Sequence, residues 1–492
     1  MKQRNGKKKI GSLLLAAAMI ITSFPAFGTE VQAAGGTEPR KFVTKEQLKD
    51  FNTNDNDGSK NPAKVYFGKN GSKNQEWWIA GSQDRDSDSV TLFAASPLGA
   101  NQKFDTNYIL GDSSTLTKAY SADWGCSYSD GRPAPSNVYA NHYGGSTLRT
   151  ALKGLETSCF SKTERALMQE TTIYTNEEKN STDANRINCA YSTKDKLYLA
   201  YGEYNGEYIT VGENTSDRLN NGLHIDKEYW GSNRSNIFWL RAPEGNSGNV
   251  VRVAVPGSSV SFFIVTYEGA VVPAFKLDLS SVLFASAAEA ASSKTTKGTI
   301  ADDAAMTLRL DGAKKTIGTV SYDAEAGRIV AQKAAGAEGT VSLVVQGGSE
   351  NVDWYYSEPA AEDGTVVTKE QIETACGISG IDLAECKIWL EMTEGENSFA
   401  YAKMAEAKNF NGAATLAPGQ ILVRDDETIK NGQDGTVTID KGNDGSVDVT
   451  VRPTQAGDVN IDANGRVTVL AEATVQAAGG KELTLPNGGS VD

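Results

Sequence analysis

Histidine is almost missing from this chain: His142 and His224 are the only two among 492 residues. Two imidazoles cannot build a histidine-rich zinc site. A Ser-His-Asp arrangement stays arithmetically open, but there is no G-x-S-x-G elbow. The bland reading is a surface or hydrogen-bonded histidine. Net positive charge is missing as well. The formal charge is −14 and no basic patch interrupts it, so phosphate backbones are repelled and a nucleic-acid partner is excluded. No phosphate loop and no dinucleotide fingerprint occur. Beyond the N-terminal segment no run is apolar enough to span a bilayer. Aromatics stop before Ala413, so residues 413–492 must build any core from Val, Ile, Leu and Ala.

Cysteine is sparse and odd in number: Cys126, Cys159, Cys189, Cys376 and Cys386. An odd set leaves at least one thiol over unless it pairs between molecules. Cys376 and Cys386 are near enough in sequence to bridge; the alternative is two small buried apolar side chains.

The chain opens with Lys7-Lys8-Lys9, an apolar run from Ile10 to Ile21, and Val31-Gln32-Ala33. A basic start, a short apolar stretch and a small-residue cleavage site describe a secretory signal peptide over residues 1–33. A retained anchor is the alternative. The mature protein is expected to be secreted, extracellular and possible to retain at the cell wall, with no membrane span. Such a length exceeds one hydrophobic core, so two to four domains are expected.

Five of the seven Trp and fourteen of the eighteen Tyr lie between Phe42 and Phe284. The aromatic core therefore belongs to a first domain over residues 40–287. Thr44 with Gln47, and Ser161 with Glu164, have capping-box spacing, and Ser146 opens a helix with Leu148, Leu152 and Leu155 on one face. Val65–Phe67, Trp77–Gly81, Thr91–Ala94 and Lys196–Ala200 read as strands. From Phe238 to Leu279 the apolar period is two: Val251, Val253 and Val255 share one face, and Val260, Phe262 and Ile264 another. Pro256-Gly257-Ser258 and Tyr267-Glu268-Gly269 are turn signals. The segment reads as an antiparallel meander, mostly core, whose turns are exposed. Residues 288–298 read as a linker. Residues 299–412 read as an immunoglobulin-like β domain with one inserted helix at Thr368-Lys369-Glu370-Gln371. Residues 413–492 carry Asp-Gly and Asn-Gly turns entering Val/Thr strands, a β-solenoid or a stack of hairpins that reads as truncated.

Chemistry-bearing motifs are few. Asn54-Asp55-Asn56-Asp57-Gly58 invites a calcium reading, but an EF-hand frame puts Thr53 and Lys64 at ligand positions. A polar turn is the simpler reading there and at Asp84-Arg85-Asp86-Ser87-Asp88. No cofactor is expected, with calcium as the alternative. Carboxylates are abundant enough to leave a glycosidase pair open. Three N-x-S/T sequons read as polar loops.

Phe238-Trp239-Leu240-Arg241-Ala242-Pro243, then Gly269-Ala270-Val271-Val272-Pro273-Ala274-Phe275, then Leu277-Asp278-Leu279-Ser280-Ser281-Val282-Leu283-Phe284 resemble the signature of an uncharacterised domain family. That family occurs in exported proteins of Gram-positive, largely gut, bacteria. The upstream Ser146-Thr147-Leu148-Arg149, Phe160-Ser161-Lys162-Thr163-Glu164 and Asp195-Lys196-Leu197-Tyr198-Leu199 fit it too. The family is similar to the C-type-lectin-like fold of formylglycine-generating enzymes, which implies an α+β first domain with two helices, followed by all-β modules. Ala242 stands where the family has Ser, and Val272 where it has Arg. Formylglycine-generating chemistry needs a late cysteine pair, and no cysteine lies between Cys189 and Cys376.

The reading with most support is a secreted or cell-surface binding or adhesion protein, more simply a binder than an enzyme. Its expected partner is an extracellular glycan, mucin, or a host or cell-wall component. A structural surface stalk and a glycan hydrolase are the alternatives. The expected ligand contacts are Trp230, Asn246, Ser247, Ser258, Tyr267 and Glu268, aromatics for stacking on sugar rings and polar groups for directed hydrogen bonds.

Overall fold

A computed structural model describes residues 41–50, 63–81, 87–107, 117–128, 133–175, 190–202, 209–210, 237–244, 248–254, 260–290, 294–349, 352–395 and 397–408, and isolated strands between residues 420 and 485. The signal segment, the 54–58 and 84–86 motifs, Cys189, His224, Trp230, Val255 and the 255–259 turn lie outside these residues.

Period-two apolar stretches become strands, and the largest sheet they form has 14 strands. Its path runs from Tyr198–Leu199 through Pro273–Asp278, Ser89–Ala94, Lys73–Gly81 and Lys64–Asn70. It then passes to Met306–Asp311, Ala400–Met404, Lys387–Thr393, Thr340–Ser349, Val352–Pro359 and Thr296–Ile300. The junction is parallel, with Val65 opposite Met306 and Tyr66 opposite Thr307. Val282–Ser286 pairs antiparallel with Met306–Asp311 beside it. The sheet therefore runs unbroken from strands before residue 287 to strands after residue 299.

Two buried groups of contacts fasten this junction. The Arg309 Nε donates to Glu391 at 3.0 Å, and its other nitrogens donate to the carbonyls of Ser286, Thr307 and Ala288. The guanidinium also lies 5.4 Å from the centre of the Trp389 ring. Elsewhere, Glu164 accepts from the Ser398 amide at 2.8 Å and hydroxyl at 2.6 Å, while Gly68 N–H donates to Ser398 Oγ at 2.9 Å. A buried charge so bonded is costly to strip of its partners.

The α+β first domain of C-type-lectin-like type is overturned: the described chain is mostly β, with 51% strand and 14% helix. The helices at Ser146 and Ser161 do form, each capped by that serine, but they are Thr147–Cys159 and the short Lys162–Leu167. They lie against a sheet that the rest of the chain extends, so helix is a minor layer. The uniformly antiparallel immunoglobulin pattern also fails. Met306–Asp311 runs parallel to Ala400–Met404, and Gly318–Asp323 parallel to Glu406–Ala407. A four-stranded sheet, Thr365–Thr368, Arg328–Lys333, Gly318–Asp323 and Glu406–Ala407, shares a core with the large sheet through Ile329, Val320, Leu343 and Leu390.

The remaining boxes at Thr44/Gln47 and Thr368/Gln371 close as spaced. Among the described residues Cys126, Cys159, Cys376 and Cys386 are free thiols. Cys376 Sγ points to the Tyr355 carbonyl and Cys386 Sγ to that of Asp382, so the two do not bridge. Strands at Glu427–Asn431 and Val437–Lys441 form an antiparallel hairpin, joined by Val449–Pro453, Ala473–Ala477 and Lys481–Leu485 in one sheet. No helix among the described residues is long and apolar enough to cross a membrane.

Candidate functional site

Phe238–Pro243, Val250–Ala254 and Val260–Ile264 form a three-stranded antiparallel sheet with the last strand at its edge. Trp239 and Leu240, with Val251 and Val253, are fully buried. Arg241 is buried too, with Nη1 donating to the Leu199 carbonyl at 2.7 Å and Nε to that of Tyr174 at 3.1 Å. Its role is to hold strands together. Val272, where the resembling family has Arg, and Ala242 are both buried.

The edge strand departs from the core reading. Phe262 is 53% and Ile264 42% exposed, so the strand face they share is left uncovered among the described residues. The alternate residue Phe263 packs against the core. The chain then turns, with the Tyr267 amide donating to the Ile264 carbonyl at 3.0 Å. Tyr267 is 56% exposed. One side of it is propped edge-on against Phe263, ring centres 5.5 Å apart. Glu268 is exposed opposite Lys103, where Glu268–Gly269 pairs with Gln102–Lys103. Gly269 has a local reason: a Cβ there would lie 2.8 Å from the Trp239 indole nitrogen, which donates to the Gln102 carbonyl at 2.8 Å.

Of the six expected contact residues, Tyr267 and Glu268 are adjacent and exposed on one turn, and Tyr267 packs on Phe263, which lies on the strand face opposite that of Phe262 and Ile264. Trp230, Asn246, Ser247 and Ser258 lie outside the described residues. Phe262 and Ile264 were read from the sequence as core. Period two marks the face they share, but nothing in the sequence says whether that face is covered.

His142 is the one described histidine, and its surroundings bear on catalysis. It is buried, stacked on Tyr191 with ring centres 4.2 Å apart. The Gly145 amide donates to Nδ1 at 3.1 Å, so the neutral ring carries its proton on Nε2, 3.1 Å from the Tyr128 hydroxyl. Burial, with Lys118 and Arg149 adding positive charge, pushes its pKa down to about 3. Burial pushes the nearby Cys126 thiol up to about 11. A thiol and a neutral imidazole, each held in its uncharged form, are the reverse of an activated nucleophile pair.

Metal-ligand chemistry is thin. Among the described residues no group of three His, Cys, Asp or Glu side chains is placed to hold a metal ion. Asp88, from the Asp-rich loop, is engaged by Lys45 at 3.0 Å and Lys49 at 3.3 Å, and their hydrogen bonds hold its carboxyl below the usual range.

A family model described as a domain of unknown function (DUF6273) matches residues 111–279, which contain the Tyr267 tip and His142. No curated protein and no solved structure matches the chain.

Proposed function

We propose that this is an exported surface protein that binds a glycan through the exposed turn formed by Tyr267 and Glu268. The observation that carries the reading is the exposure of Tyr267, whose ring is propped by Phe263 and leaves a broad apolar face in solvent. An aromatic face fixed by its neighbour stacks on a sugar ring with little further loss of side-chain freedom, and Glu268 supplies an acceptor for hydroxyls. The signal-like N-terminus and the resemblance to exported bacterial domains support placement outside the cell. The ligand class is an extracellular glycan, mucin or cell-wall polysaccharide, and binding is calcium-independent.

The test is a glycan and mucin array probed with the full chain, with and without EDTA, against Tyr267→Ala. Specific signals that survive EDTA and fall about tenfold in the variant are expected, the scale of losing one aromatic anchor. Loss in EDTA, or an unchanged variant, counts against the tip.

One observation favours a second reading, that of a structural surface protein. The Val260–Ile264 edge is apolar and uncharged, the kind of edge that pairs with another chain.

A further inference from the structure

Lys118 and Asp105 meet in the interior. Asp105 is wholly buried and Lys118 only 7% exposed. Lys118 lies in the strand Thr117–Ala119, which pairs with Asn137–Tyr139. Asp105 follows the strand Gln102–Lys103, and its amide, with that of Phe104, donates to the Val265 carbonyl. The pair therefore joins the segment beside the Tyr267 turn to a separate two-stranded sheet.

The two carboxyl oxygens of Asp105 have different surroundings. Oδ1 accepts from three backbone amides, those of Thr106 at 3.0 Å, Asn107 at 3.4 Å and Thr147 at 3.2 Å. Thr147 is the first residue of the helix Thr147–Cys159. Oδ2 faces Lys118 Nζ at 2.5 Å, and Nζ also donates to the Gly145 carbonyl at 2.5 Å. Burial draws the Lys118 pKa down. Desolvation favours the neutral forms of both groups, and a proton passed from one to the other leaves an amine against a carboxylic acid. A desolvated lysine amine is a nucleophile. Amides converging on Oδ1 are placed to hold negative charge that develops there.

We propose that Lys118 and Asp105 condense to an intramolecular amide bond, a covalent self-modification that stands apart from the glycan reading. One proton passes from the ammonium to Oδ2, giving the neutral pair. Nζ then attacks Cγ, and the charge on Oδ1 falls among the three amides. A second Nζ proton moves to Oδ2, which leaves as water. The Nζ–Cγ bond forms, the Cγ–Oδ2 bond breaks, and the hydrogen left on nitrogen donates to the Gly145 carbonyl. No oxidant, reductant or co-reactant is consumed. Holding the amine in contact with the carboxyl supplies a high effective concentration. The product closes residues 105–118 into a covalent ring, which removes freedom from the unfolded chain. It also pins the segment that pairs with Glu268–Gly269.

Intact mass spectrometry of the full chain, unfolded before measurement, tests this. The chain should be lighter by one water than its sequence requires from the N-terminus found. Trypsin should fail to cut after Lys118. The uncut peptide beginning at Phe104 should carry the water loss, and its fragments should close a ring between Asp105 and Lys118. Lys118→Arg keeps the positive charge but not the amine; it should have full mass and be cut after residue 118. The parent chain alone decides the matter should the variant fail to fold. Full mass in the parent, cleavage after Lys118, or a water loss that maps to an Asp-Gly step such as Asp434-Gly435 overturns the proposal.

Discussion

His142 shows how much one residue's environment decides. The sequence offers it as a surface or hydrogen-bonded histidine, and it is hydrogen-bonded, but buried rather than on the surface. Its ring is held neutral, with a folded-state pKa of about 3 against about 6.5 in an unfolded chain. Between those values the unfolded state binds the proton and the folded state does not. Stability therefore falls as pH drops from about 6.5 toward 3, by up to about 1.4 kcal/mol per unit, and is unaffected by this residue above that window. His142→Asn keeps an acceptor for the Gly145 amide and removes the titration. Urea unfolding at pH 4.5 and 7 should show a smaller difference in the variant than in the parent; equal differences would contradict the buried neutral ring. Tyr267 was legible because a Tyr-Glu-Gly turn advertises itself. The Lys118–Asp105 pair was not, because nothing in Thr117-Lys118-Ala119 tells of Asp105 arriving beside it with the Thr147 amide on its other oxygen.

Elements whose signals are local were readable. Ser161 with Glu164 and Thr368 with Gln371 make reciprocal caps because the three-residue spacing is the geometry itself. The edge position of Val260–Ile264 was not readable, because period two gives a face but not a neighbour. At an edge, Phe262 and Ile264 face solvent with no charge to deter a second chain. If this edge mediates assembly, sedimentation of the full chain should show association that strengthens with concentration, and Phe262→Lys should leave a monomer. A parent that stays monomeric at high concentration removes the structural reading. Phe262 lies opposite the buried Arg252, so a nearby Lys adds like charge as well as solvation.

At the scale of the whole molecule, the β-rich character of the later segments was legible from their Val and Thr alternation. The class of the first segment was not, since the α+β expectation came from the lectin-like resemblance, while the chain is mostly β. The pairing of Lys64–Asn70 with Met306–Asp311 had no sequence signal at all: partners so far apart are chosen by tertiary packing. That junction makes the two regions energetically dependent. Glu164→Ala leaves the buried amides of Ser161 and Ser398 without their carboxylate and should lower unfolding free energy by about 2 kcal/mol or more. The loss should show in one shared transition, followed by Trp fluorescence and circular dichroism. Two separate transitions, only one of them shifted, would contradict a continuous sheet.

The central claim is that an exported chain reads a glycan with the aromatic tip of its edge strand. The most direct measurement is the glycan array with the full chain and with Tyr267→Ala side by side. Specific, EDTA-resistant signals that fall about tenfold in the variant are predicted. A silent array, or one that the substitution leaves unchanged, contradicts the account.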